Sequence, residues 1–191
     1  MDQLLAFLQS ISPLTSEVCE EIARIFRADA LPAGSYFAEF DIYAREVAFL
    51  ESGVVRAFFV NAEGKQYNKQ FFVGPSFIGA YTSLLTATPN RIAQQALTDC
   101  VIWRADYEVV EKNYARYHDL ERLGRKIAEM YFLEKEKKEL EMALMEAEER
   151  YLIMRQQFPT IEQLIPQYHI ASYLGISPTQ LSRVRRKMAG A

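Results

Sequence analysis

The last part of the chain carries basic side chains and no acidic ones, so it could bind an anion such as a nucleic-acid phosphate. From Gln163 to the C-terminus there are four basic residues and no acidic one, whereas the whole chain has a formal net charge of -3. Lys and Arg neutralise phosphates, and Arg and Gln can also hydrogen bond to base edges. The segment therefore predicts nucleic-acid binding, with a solubilising basic tail as the plain alternative.

The same segment has the residue pattern of two short helices joined by a tight turn. Gly175 stands where a sharp turn needs a positive φ. Ser177 and Pro178 suit the N-cap and the first position of a second helix. Apolar or small residues occupy the positions that must face inward, namely Ile170, Ala171, Leu174, Ile176, Leu181 and Val184. This combination is typical of a helix-turn-helix, and a generic helical hairpin matches only some of it.

A polar face of the second helix remains for DNA. Because a recognition helix presents its N-terminal residues to the major groove, we expect Gln180 to bind adenine and Arg183 to bind guanine. Ser177 can take a phosphate at the helix N-terminus, and the more C-terminal basic residues suit phosphates as well. The predicted DNA-binding residues are Ser177, Thr179, Gln180, Ser182, Arg183, Arg185, Arg186 and Lys187.

The elements before this segment change in character along the chain. Residues 1–30 predict short helices, the second beginning at Ser12 and Pro13. Residues 31–105 alternate β-rich runs with turns at intervals of about 8–12 residues, which indicates a sandwich, barrel or jelly roll. The clearest runs are Val47–Leu50, Val54–Val60, Gln70–Val73, Ile92–Leu97 and Cys100–Arg104.

A helical segment follows the β-rich part. Between Tyr107 and Phe158 there is no Ser, Thr or Pro, and Gly124 is the only glycine. Such a composition favours helix, and we expect a short helix followed by one long helix from about Asp119. An apolar stripe along a long helix needs a partner, which a coiled-coil-like homodimer would supply.

Composition narrows the classes of function. The chain has 191 residues, two cysteines and two histidines, with no histidine in the β-rich part. A metal-dependent jelly-roll enzyme would need clustered ligands there, and no Ser/His/Asp set or phosphate-binding glycine loop is present. We expect no enzyme activity, no catalytic residue and no metal. Without a visible signal peptide or membrane span, a cytoplasmic protein is expected.

Nearly the whole chain resembles the Crp/Fnr family of bacterial transcription factors. The landmarks are Pro32-Ala33-Gly34, residues 50–56, Gly64, residues 77–80, residues 91–93 and residues 96–100. The resemblance implies an α+β fold: a cyclic-nucleotide-binding-like β-roll (a jelly roll) over 1–118, a dimerisation helix over 119–158 and a winged helix-turn-helix over 159–191. It also implies a homodimer on double-stranded DNA, with half-sites about one helical turn apart, and contact with RNA polymerase.

The ligand cassette departs from the pattern of that family. Members that bind cyclic AMP pair Gly-Glu with Arg-Ser-Ala or Arg-Thr-Ala, where the Glu holds the ribose and the Arg and hydroxyl hold the phosphate. Here Gly79 is followed by Ala80, and Arg91 by Ile92, so two of the three polar contacts are missing. We therefore expect a degenerate pocket without bound cyclic AMP, no cofactor, and an effector of unknown identity.

A second hypothesis keeps the β-roll as a small-ligand sensor and gives the C-terminal segment protein contacts instead of DNA contacts. The affinity for DNA and its dependence on salt separate the two hypotheses, because phosphate contacts release counterions.

Overall fold

The computed structural model describes residues 1–189, so the last two residues of the expected unit 159–191 lie outside it. The strands are β1 (Arg27–Leu31), β2 (Tyr36–Ala38), β3 (Glu46–Ser52), β4 (Val54–Val60), β5 (Gln66–Val73), β6 (Ser76–Ile78), β7 (Ala93–Ala96) and β8 (Cys100–Asp106). The helices are α1 (Asp2–Ile11), α2 (Ser16–Ile25), α3 (Tyr81–Thr86), α4 (Tyr107–Tyr114), α5 (His118–Leu144), α6 (Ala147–Gln157), α7 (Ile161–Leu164), α8 (Gln167–Leu174) and α9 (Pro178–Ala189).

The strands form two antiparallel four-stranded sheets, in the orders β1-β8-β3-β6 and β2-β7-β4-β5. The chain passes from the first sheet to the second at Gly53, which has φ +103, and a Cβ there would lie 2.5 Å from Cys100 Sγ. Buried apolar side chains fill the space between the sheets: Leu31, Ala48, Leu50, Val55, Ile78, Ala96, Cys100 and Ile102. We call residues 27–106 the roll, and its architecture agrees with the expected α+β fold with a jelly-roll core.

All five β-rich runs of the sequence lie in or overlap strands of the roll. Three strands were not anticipated, namely β1, β2 and β6. β1 is exposed at four of its five positions, and β2 and β6 have three residues each, so neither a hydrophobic run nor an alternation distinguishes them.

The N-terminal helices lie against α5 and the outer face of β3. The expected helix start at Ser12 is wrong, because Ser12 ends α1 and α2 begins at Ser16. Ser12 is buried, and its hydroxyl accepts a hydrogen bond from Arg122 Nε at 3.2 Å. The Ser12 side chain, which local sequence predicts to cap a helix, therefore bonds instead to Arg122, 110 positions away in the chain.

The segment 119–158 is divided into two helices instead of one. Met145 has an extended backbone with φ -107 and ψ 148 and ends α5. Glu146 and Glu149 then form a reciprocal capping box that starts α6. Tyr151 and Met154 of α6 belong to the same core as Leu174 and Leu181, so α6 packs with the C-terminal helices. We call α6 to α9 the C-terminal unit; between residues 159 and 189 it contains no strand, so the wing expected of a winged helix-turn-helix is not among the described residues.

Candidate nucleic-acid interface and roll cavity

The turn between α8 and α9 has the geometry that the sequence indicates. Gly175 has a left-handed backbone with φ +71 and ends α8, and the N–H of Ile176 donates to Ala171 O at 3.0 Å. Ala171 is fully buried where α9 crosses α8. α9 begins at Pro178, as expected. Local constraints therefore account for the turn and for the ends of the two helices that meet at it.

Helix α9 has one buried face and one exposed face. Leu181 and Val184 are buried in the core of the C-terminal unit. The rest of the helix surface exposes polar and basic side chains, namely Thr179, Gln180, Ser182, Arg183, Arg185, Arg186 and Lys187. All the predicted DNA-binding residues thus lie at the start of α9 or are exposed along it, although Arg185 lies beside the buried face and pairs with Glu162 of α7.

Gln180 also caps its own helix. Its Oε1 accepts from the N–H of Ser177 at 2.8 Å, while Ser177 Oγ accepts from the N–H of Gln180 at 3.2 Å. These two bonds form a capping box in which Gln replaces the more familiar Glu. A bidentate contact with adenine needs the same Oε1, so base reading by Gln180 would require this box to open.

Acidic residues of the C-terminal unit pair with two of the basic residues. Lys187 Nζ lies 2.8 Å from both carboxylate oxygens of Glu148 on α6. Arg185 Nε lies 3.3 Å from Glu162 on α7. Arg183 and Arg186 are exposed and form no ion pair within the part of the chain that the structure describes. Positive charge available to an incoming phosphate is therefore greatest at Arg183 and Arg186.

Hydrogen bonds and an aromatic contact join the C-terminal unit to the roll through α8. Asn68 Nδ2 of β5 donates to the carbonyl of His169 at 2.9 Å, and the N–H of Asn68 donates to Ser172 Oγ at 3.0 Å. Beside these bonds the ring of Phe71 packs on that of Tyr173, with 4.8 Å between centroids. Roll and helix-turn-helix thus share one buried seam.

Arg56 lies in this seam without a carboxylate among its hydrogen-bond partners. Its guanidinium donates to Gln95 Oε1 at 2.7 Å, Gln66 Oε1 at 2.8 Å and Asn68 Oδ1 at 3.3 Å. Because an arginine only donates, its 3.4 Å contact with His169 Nδ1 assigns that nitrogen as an acceptor. Burial, and then the nearby guanidinium, lowers the pKa of His169 to about 4, so the imidazole is neutral at pH 7.

A cavity of about 1120 Å³ lies between the roll and α5. The four residues of the degenerate cassette, Gly79, Ala80, Arg91 and Ile92, all line it. Tyr131 closes part of the α5 side, and its hydroxyl bonds to the N–H and the carbonyl of Phe77 at 2.9 and 3.0 Å. We call this space the roll cavity; its volume slightly exceeds the common range of about 300–1,000 Å³ for ligand pockets.

Sequence reasoning missed the seam residues. Arg56 belongs to the sequence prediction only as part of a family landmark, and Asn68 does not belong to it. Nothing local marks them, since their partners lie up to 113 positions away. One signal was available: an arginine placed in an otherwise apolar strand must find buried partners.

The geometry can be compared with solved structures. FixK2 from Bradyrhizobium japonicum superimposes with a TM-score of 0.73 at 18% identity, over 87% of this chain and 85% of FixK2. CLP from Xanthomonas campestris, a c-di-GMP responsive global regulator, gives 0.71 at 15% identity over 92% of each chain. A protein from Eubacterium rectale assigned to the crp/fnr family of transcriptional regulators gives 0.72 at 12% identity, over 92% of this chain and 84% of that one.

The chain has a Crp/Fnr-type fold. The sequence itself matches no family model and no curated protein, so the likeness is one of structure. The Crp/Fnr fold accounts for the order of roll, long helix and helix-turn-helix. Within residues 1–189 no helix is both long and apolar enough to cross a membrane.

Proposed function

We propose that the protein is a DNA-binding transcriptional regulator that places α9 in the major groove. The observation that supports this most strongly is the exposed basic face of α9, where Arg183 and Arg186 stand without acidic partners in the described chain. Arg183 lies one turn into the helix and suits a guanine, whereas Arg186 lies further along and suits a phosphate. Neither residue is needed for the core of the C-terminal unit, which leaves both available to a ligand.

The proposal includes a homodimer joined along α5. Met130, Leu133, Leu140 and Leu144 are 44%, 62%, 60% and 78% exposed, at the spacing of one helical face. Lys137 interrupts that face and pairs with Glu141 at 3.9 Å. A second copy of α5 is the occupant that fits a stripe with near-heptad spacing, and two-fold symmetry would place two α9 helices for a pseudo-palindromic site.

The proposed roles follow the three expected units, with 1–118 as sensor, 119–158 for dimerisation and 159–191 for DNA. Within 119–158 the dimer contact is confined to α5, because α6 packs with the C-terminal helices. We propose that the sensor does not respond to cyclic AMP, since Ala80 and Ile92 offer no polar group to ribose or phosphate and Arg91 is exposed. Family resemblance adds contact with RNA polymerase and a cytoplasmic location.

In vitro selection from a random duplex library tests the proposal. The full chain should enrich an inverted repeat whose half-sites are centred about one helical turn (~34 Å) apart. Arg183→Ala should enrich a motif that is relaxed at one symmetric position. If the wild-type protein enriches no sequence from the library, the proposal is contradicted. Protein contacts would then be favoured for the C-terminal unit.

A further inference from the structure

The connection between α5 and α6 consists of two residues. Met145 has an extended backbone with φ -107 and ψ 148, and Glu146 has one with φ -72 and ψ 161. Each residue has two soft backbone dihedrals, so the connection by itself does not fix one direction for the chain. Side-chain contacts across it must therefore fix the angle between α5 and the C-terminal unit.

Arg150 of α6 bonds to the ends of two other helices. Its Nη1 donates to the carbonyl of Met145, the C-cap of α5. Its Nη2 donates at 3.0 Å to the carbonyl of Leu174, the last residue of α8. Carbonyls at helix C-termini lack intrahelical partners and carry partial negative charge, and a planar guanidinium can donate to two of them at once. Arg150 therefore joins the end of α5 to the end of α8, directly before the turn at Gly175.

Two side chains of α5 contact α8 beside the same turn. Lys138 Nζ lies 3.6 Å from the centroid of the Tyr173 ring, and Tyr173 is buried. A Cβ at Gly175 would lie 2.8 Å from Met142 Cε, so the Met142 side chain reaches the turn itself. Lys138 and Met142 are four residues apart and share one face of α5. The turn that positions α9 is thus held from α5 as well as from α8.

In the proposed dimer, the position of α9 relative to α5 sets the distance between the two recognition helices. One turn of DNA has about 10–10.5 base pairs over about 34–36 Å. One additional base pair between the half-sites therefore moves them about 3.4 Å apart and rotates one by about 35° relative to the other. A C-terminal unit at a fixed angle to α5 matches one spacing, whereas a mobile unit accepts several.

We propose that Arg150 is a positioning residue that determines which spacing of half-sites the protein accepts, because it joins the C-terminal ends of α5 and α8. This inference rests on the proposed function and its dimer and adds a second determinant of specificity. The side chains of α9 read the bases of each half-site, and Arg150 selects the distance between the half-sites.

The test uses the full chain and duplexes that carry the selected inverted repeat with its spacer shortened or lengthened by one or two base pairs. Fluorescence anisotropy measures the affinity for each duplex. The wild-type protein should prefer the selected spacing about tenfold or more over a change of two base pairs, because a displaced α9 loses its base contacts.

Arg150→Met keeps a long unbranched side chain and removes both donors. The preference for the selected spacing should fall to about threefold or less, because two charge-assisted hydrogen bonds are lost. The preference for the correct half-site over one with a substituted base pair should stay at the wild-type value, since α9 is unchanged. Arg183→Ala should show the reverse: a relaxed base preference and the wild-type spacing preference.

Arg155→Met is the matched control. Arg155 lies on the same helix and pairs with Glu162 of α7 at 3.4 Å, within the C-terminal unit. The substitution makes the same change of charge and should keep the wild-type spacing preference. Should Arg150→Met fail to fold by circular dichroism, Arg150→Lys decides instead. It keeps the charge but replaces the planar fork with a single ammonium group, so the spacing preference should again fall below the wild-type value.

Four results would overturn the inference: a wild-type protein that accepts every spacing equally, a wild-type spacing preference in the folded Arg150 variant, a base preference that relaxes together with the spacing preference, or the same relaxation in Arg155→Met. An equal loss of affinity at every spacing is the second of these and would give Arg150 a purely structural role. A wild-type protein that binds its operator without a spacing preference loses this inference alone. One that binds no duplex loses the regulator function and this inference with it.

Discussion

Asn68 and His169 are 101 residues apart in the chain and share a hydrogen bond of 2.9 Å from the Asn68 amide to the His169 carbonyl. Both residues are buried, the first in β5 of the roll and the second in α8. The orientation of α8, and through the turn at Gly175 that of α9, therefore depends on the roll as well as on the C-terminal unit.

The first prediction concerns the strength of that seam. Asn68→Ala leaves the His169 carbonyl and one guanidinium N–H of Arg56 without their partners in a buried place. We expect the free energy of unfolding in urea to fall by about 2–3 kcal/mol. Asn113→Ala is the control, because that amide bonds only to Val109 within α4 at 2.9 Å. An equal decrease in the free energy of unfolding in the two variants would contradict a special contribution of the seam to stability.

The second prediction is a dependence of stability on pH. The pKa of His169 is about 4 in the folded protein, because burial and Arg56 disfavour the charged ring. An unfolded histidine titrates near ~6.5, so below that pH the unfolded chain binds the proton first. The contribution of His169 to the free energy of unfolding should be constant above about pH 6.5, decrease by up to ~3 kcal/mol toward pH 4, and not change further below that.

Urea unfolding of the wild-type protein and of His169→Gln, from about pH 7 to about pH 4.5, isolates this contribution. The wild-type protein should lose more stability than the variant over this interval. Parallel losses would assign the acid sensitivity to other groups. His118→Gln, at an exposed position of α5, serves as the control for the substitution itself.

Local chemistry explains which parts of this structure the sequence predicts. Gly175, Ser177 and Pro178 act within a few residues of themselves, and the turn they predict is confirmed. After the helix break at Met145, Tyr151 and Met154 pack in the C-terminal core, a long-range contact that helix composition does not reveal. Gln180 illustrates the same limit at the site, since its type suits both a base contact and a capping box.

The third prediction separates base reading from phosphate contact on α9. Arg183→Ala should cost about 1–3 kcal/mol at the selected operator and relax one base preference. Lys187→Ala should weaken all duplexes about equally. Fluorescence anisotropy with operator and mutated operators measures both, and a sequence-selective loss in Lys187→Ala would reverse the two assignments.

The fourth prediction follows from the pairing of Lys187 with Glu148. Glu148→Gln removes the carboxylate that lies 2.8 Å from the ammonium group and also removes a negative charge near the DNA. Affinity for any duplex should therefore rise, by about two- to fivefold at low salt. Glu136→Gln, an exposed residue of α5, makes the same change of net charge elsewhere. An equal gain in both variants would assign the effect to net charge alone.

The dimer is tested by Leu133→Glu. Leu133 is 62% exposed in the described chain, so the substitution should leave the protomer folded. It places a charge in the proposed dimer interface between the two α5 helices. Sedimentation should show a monomer, and operator affinity should fall because one half-site is lost. A variant that stays dimeric would locate the interface elsewhere.

The most direct test of DNA recognition by α9 is the affinity of the full-chain protein for its selected operator as a function of salt. The logarithm of affinity should fall linearly with the logarithm of salt concentration, by about 0.9 for each phosphate contact, and Arg186→Ala should reduce that slope by about one contact. A flat response, or no binding to duplex DNA at low salt with and without extracted cell metabolites, would contradict the account.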